Sequence, residues 1–149
     1  MPTAEYLDRM ETISQIADLI IEGTKNDSYA FPPEHLPVIS EIVLLLLNKT
    51  PSDMKYPDDI LTAYLNSARG RVTMALINYS LRTVRLKKNS KETVRWDSEI
   101  KGEFTKRLDR SFEPSLEWSV CLGEYLPNLM YMDRAWVEEK IDKILPIEN

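Results

Sequence analysis

The stretch SARGRVTMALINYSLRTVRLKK, residues 67–88, most narrows what this chain can become. Ser67 suits a helix N-cap and the closing lysines suit the negative end of a helix dipole, so the run predicts one helix of about five turns. Val72, Leu76, Tyr79, Thr83 and Leu86 mark one apolar side at helical spacing, and Met74, Ile77, Leu81 and Val84 mark another. Arg71, Asn78, Arg82 and Arg85 share a narrow stripe between them. Such a helix is buried on two sides and keeps an arginine edge for water or a partner.

The rest of the chain follows the same helical grammar. Thr3 predicts the cap of a first helix with Leu7, Met10, Ile13, Ala17 and Ile20 recurring up to Gly23. Pro32-Pro33 resets the chain before a helix over about 34–48, apolar over more than half its circumference. Pro57-Asp58-Asp59 marks a short helix over 58–66, its acids facing the positive end of the dipole. Further helices are expected over 98–110 and, opened by Pro114-Ser115, over 116–126. A turn at 128–132 then leads to Asp133, the expected cap of a last helix carrying Trp136, Val137 and Ile141. No β-branched run alternates as a strand would.

The fold class expected is therefore all-α: six to eight stacked antiparallel helices in one domain over 1–149, built as a HEAT-like repeat or an irregular bundle. It is a whole domain or a piece of a larger helical array. Four glycines are too few for a turn-rich β-sandwich or a glycine-rich phosphate loop. Expected core positions are Leu7, Ile13, Ile20, Leu36, Ile39, Val43, Leu46, Leu61, Leu65, Val72, Leu76, Tyr79, Phe104, Leu108, Leu122, Leu126, Trp136 and Ile141.

Little in the sequence points to catalysis. His35 stands alone in the first turn of a helix, without a partner for nucleophilic chemistry. Cys121 sits on an apolar stripe as a small buried hydrophobe and cannot form an internal disulfide, which predicts a reducing cytoplasm. No cysteine pair, His-Glu-x-x-His or calcium loop occurs, so no metal or cofactor is expected. The longest apolar run, Ile42–Leu47, is far short of a membrane span.

Charge is distributed in blocks. Residues 1–68 carry 4 basic against 11 acidic side chains, 69–110 carry 12 against 5, and 111–149 carry 3 against 8. Two readings of the central block stand. Its cations pair with the acidic segments folded around them, or Arg71, Arg82, Arg85, Lys87 and Lys88, extended by Lys91 and Arg95, form a contact for nucleic acid or another anion. The Arg69-Gly70-Arg71 step sharpens the question, because two arginines at a helix start oppose the dipole and call for an anion nearby. Asp58 and Asp59 are the nearest candidates in sequence, and Gly70 is expected to admit a neighbouring helix closely.

The stretches LNSARGRVTMALINYSLR and LGEYLPNLMYMDRAWV resemble the helical scaffold region of large bacterial multidomain proteins of sirtuin-like or nucleotide-hydrolase type that act in defence against phage. The likeness covers about residues 57–146. It implies a HEAT-like scaffold, sensor or linker segment, with the catalytic domain on another part of the chain. The function expected is non-catalytic: a helical interaction domain that presents a surface to a protein partner or an adjacent domain. Any large aromatic left exposed is the first place to look for that surface.

Overall fold

The computed structural model describes residues 3–52, 59–87 and 96–145. Among them the chain is all-α: α1 (Ala4–Glu22), a 3-10 turn (Pro33–His35), α2 (Leu36–Lys49), α3 (Ile60–Asn66), α4 (Ala68–Leu86), α5 (Ser98–Lys106), α6 (Leu116–Glu124) and α7 (Leu126–Ile144). The bundle of six to eight helices expected from sequence is what forms. No helix of the described residues is long and apolar enough to cross a membrane.

Side-chain caps fix where the helices begin, each satisfying a backbone N–H that lacks an intrahelical partner. Thr3 accepts from the Tyr6 N–H at 3.1 Å and Ser67 from the Gly70 N–H at 2.8 Å. Ser115 accepts from Trp118 at 3.4 Å, and Asp97 from Glu99 and Ile100, both at 3.1 Å. Asp59 caps α3 from outside, so that helix starts at Ile60; Pro57 and Asp58, expected at its start, lie outside the described residues. At the far end of α1, a Cβ on Gly23 would stand 2.2 Å from the Phe31 ring. Any larger residue there would have to push the ring off the helix end.

Three boundaries differ from expectation. The second helix opens as a 3-10 turn, because Pro33 and Pro37 remove N–H donors from its first turns. The helix expected over 98–110 stops at Lys106 and folds into a turn in which Asp109 accepts from the backbone and hydroxyl of Ser111. The turn expected at 128–132 is helical, and α7 breaks only at Asp133, where the backbone is extended (φ −159°, ψ 88°). The expected cap survives that change: Asp133 accepts from the Trp136 N–H at 3.0 Å.

Helix α4 sits at the centre, packed against α1, α2, α3, α6 and α7. Fourteen of its residues are buried, so both apolar sides predicted for it are in use. Contacts thus radiate from one central helix, as in a helical bundle. A second layer is aromatic. Trp96 lies 5.1 Å from Phe104 and 5.2 Å from Trp136, both edge to face, and Phe104 lies 5.1 Å from Trp118. Four expected core residues, Leu7, Leu61, Leu65 and Ile141, are exposed instead. In the short α3 Tyr64 is fully buried, while Leu61 and Leu65 stay exposed.

Candidate functional site

Arg69 and Arg71 leave the start of α4 in opposite directions. Arg69 turns inward and donates to the carbonyls of Leu47, at 2.8 Å, and Thr50, and to the Glu113 carboxylate. Those carbonyls belong to the C-terminal end of α2, where a cation is favourable. An arginine poorly placed for its own helix dipole is thus well placed for a neighbour's. Arg71 turns outward to α1, its Nη1 at 2.6 and 2.8 Å from the two Asp18 oxygens. The anions answering the Arg-Gly-Arg step are therefore Glu113 and Asp18. Asp59 is occupied as the α3 cap, and Asp58 lies outside the described residues.

Gly70 between them cannot be larger. A Cβ there would lie 2.0 Å from the Tyr64 carbonyl oxygen and 2.8 Å from Ser67 Oγ. The close approach expected of Gly70 is to the C-terminal turn of α3, immediately before it.

The remaining arginines of the edge hold the α1–α2 connection. Arg82 Nη1 donates to Asp27 Oδ1 at 2.6 Å, Arg85 Nε donates to the same oxygen at 3.0 Å, and Arg85 Nη2 donates to the Thr24 carbonyl at 2.6 Å. Arg85's hydrogen bond, reinforced by Arg82's, holds the Asp27 carboxyl below its ordinary range against the cost of desolvation. Arg82 is buried and Arg71 and Arg85 half-buried, so the arginines of the stripe predicted to face water lie against α1 and its following loop, whereas buried Asn78 donates to the Met74 carbonyl and to the Tyr125 hydroxyl. Lys87 is half-buried in the turn after α4; Lys88, Lys91 and Arg95 lie outside the described residues.

The loop clasped in this way ends in a conspicuous residue. Tyr29 is fully exposed and has φ 62°, the left-handed region that bulky side chains avoid. Phe31, two residues on, returns to the body: its N–H donates to the Gly23 carbonyl at 2.9 Å and its ring covers Gly23. Tyr29 is thus held out by anchors on both sides.

A buried ionic cluster went unforeseen in the sequence. Glu113 accepts from Arg69 and from Ser115 at 3.2 Å, and its second oxygen lies 3.6 Å from Arg107. Arg107 also donates to Asn48 Oδ1 at 2.8 Å. Glu117, wholly buried, accepts from Ser52 Oγ at 2.7 Å, and its other oxygen finds no partner among the described residues. The local signal was only the misplaced charge at Arg69, which announced an anion without naming it.

Elsewhere the ionisable groups do not converge. His35 is exposed in the 3-10 turn. Burial pushes the Cys121 thiol up to about 12 and, with Cys121 beside it, raises the Tyr64 hydroxyl as well. Among the described residues no three His, Cys, Asp or Glu side chains cluster to hold a metal ion. Among the described residues, open grooves flank α1 on two sides. One, about 390 Å³, runs between α1 and the start of α4 past Met10, Ser14, Asp18, Asn66 and Arg71; the other, about 560 Å³, runs between α1 and α2 past Tyr6, Arg9, Met10, Leu45 and Lys49.

Compared with known families, with curated proteins and with solved structures, this chain matches none.

Proposed function

We propose that this chain is a non-catalytic helical scaffold that presents a surface to a protein partner or to an adjacent domain of a larger polypeptide. One observation carries the reading: the central arginines are spent on the chain's own acidic segments, and what two of them hold out to solvent is Tyr29. A tyrosine in the left-handed region is strained by about 1–2 kcal/mol and gains nothing from packing while exposed. Strain of this kind concentrates where a contact uses it, and tyrosine is among the residues most enriched in binding hot spots. The resemblance of residues 57–146 to bacterial helical scaffold regions points the same way, and a lone buried thiol supports a reducing, cytoplasmic setting.

The test is recovery of partners from the source cells with a tagged wild-type chain and with Tyr29→Ser. The partner held by the wild type should fall about tenfold or more in the variant, with the melting temperature unchanged. Equal recovery would remove Tyr29 from the surface. The competing reading, nucleic-acid or anionic-ligand binding through residues 69–95, requires Arg71, Arg82 and Arg85 to abandon their carboxylates.

A further inference from the structure

Val38, Ile42 and Leu45 stand on the outward face of α2 and are 56%, 36% and 54% exposed. They fall at i, i+4 and i+7, one stripe of a helix. Exposed Glu34, in the 3-10 turn that leads into α2, and exposed Lys49, its last residue, close the stripe at its two ends. The order along the face is acid, three apolar side chains, base.

We propose that this face docks a second copy of the chain, as an antiparallel α2–α2 pair about a two-fold axis passing between Glu41 and Ile42. A two-fold contact uses one patch twice, so the patch must complement itself. This one does. Reversing α2 about that axis sets Val38 opposite Leu45 of the second copy, Ile42 beside Ile42, and Glu34 opposite Lys49 at both ends. Parallel pairing would instead set Glu34 against Glu34 and Lys49 against Lys49, so the charges choose the antiparallel arrangement. A single helix face falls well short of the roughly 800 Å² per partner of a stable complex. The dimer is therefore weak, with a Kd on the order of 10–100 µM. One feature opposes it: the axis returns each flank to its own side, so Glu41 faces Glu41.

Sedimentation velocity on the full chain from about 1 µM to about 500 µM tests the proposal. Wild type should pass from monomer to dimer within that range, and Ile42→Glu should stay monomeric throughout. Lys49→Glu should weaken the dimer about fivefold or more, Glu34→Lys combined with Lys49→Glu should restore it, and Glu41→Gln should tighten it. All these side chains are exposed, so each variant should stay folded, the charge reversals at the helix ends costing no more than about 1 kcal/mol each through the dipole. A monomeric wild type, a dimer that survives Ile42→Glu, or a double reversal no better than the single one would overturn the proposal. The last result would mean that α2 meets something other than itself. The inference goes beyond the scaffold reading and fails separately from it, since Tyr29 takes no part in the pair.

Discussion

Three glycines lie inside helices, and the structure gives them opposite signs on replacement by alanine. At Gly102 in α5 and Gly123 in α6 an added Cβ meets nothing within 4 Å. Each should gain about 0.5–1 kcal/mol from the lost backbone freedom of the unfolded chain. At Gly70 the same methyl would lie 2.0 Å from a backbone carbonyl oxygen and 2.8 Å from the hydroxyl that caps α4. Overpacking costs about 1–3 kcal/mol and loss of the cap about 1 kcal/mol more, against a propensity gain of about 1 kcal/mol. Gly70→Ala should therefore lose about 2 kcal/mol, a drop of about 4–8 °C in Tm for a chain of this size. Urea titration followed by fluorescence of the three buried tryptophans measures it. Gly70→Ala as stable as wild type, or Gly102→Ala costing as much as Gly70→Ala, would refute the close approach at the start of α4.

Other consequences can be measured in the same way. Arg69→Met should destabilise by about 3 kcal/mol, because it takes from buried Glu113 its directly bonded cation, leaving Ser115 and the more distant Arg107, and removes the donor to the Leu47 and Thr50 carbonyls; adding Glu113→Leu should recover part of that loss on urea titration. Cys121, buried and pushed up to about 12, should resist a thiol reagent at pH 8 in the native state and react at once in denaturant; equal rates would contradict its burial. Asp133→Asn keeps a capping oxygen but removes the charge that pairs with Lys101 at 2.5 Å. Burial works to raise the Asp133 carboxyl, yet Lys101 and the Trp136 N–H bring it below its ordinary 3.8. Its stabilisation is thus present above the unfolded value and lost as pH falls through the folded one. Wild type should exceed the variant by about 0.5–1 kcal/mol at pH 7, and the gap should close below about pH 4; a gap independent of pH would refute the pairing.

Helix starts were legible in the sequence because capping is local chemistry. Thr3, Ser67, Ser115 and Asp133 each bond to an N–H three residues on, and that spacing is visible in one dimension. The two apolar sides of α4 were legible for the same reason. Leu7, Leu61, Leu65 and Ile141 were misassigned because periodicity says which face is apolar without saying whether another helix covers it. The ionic partners were the least accessible. Arg69 meets Glu113 and Arg71 meets Asp18 across 44 and 53 positions, distances over which charge counts reveal a need and only the fold reveals who meets it. The arginine stripe was legible in its register, and of the two readings left open for its cations the pairing with an acidic segment is the one the fold makes, Asp18 meeting Arg71 and Asp27 meeting Arg82 and Arg85.

Binding of labelled single-stranded and duplex oligonucleotides across a salt series, with wild type and with Asp18→Asn/Asp27→Asn, asks whether the central arginines are already occupied. The wild type should bind no more tightly than about 10⁻⁴ M near physiological salt, and freeing Arg71, Arg82 and Arg85 in the double variant should tighten binding and steepen its salt dependence. Tight, steeply salt-dependent binding by the wild type, left unchanged in the double variant, would show those cations to be an open contact and not the clasp that holds the chain together.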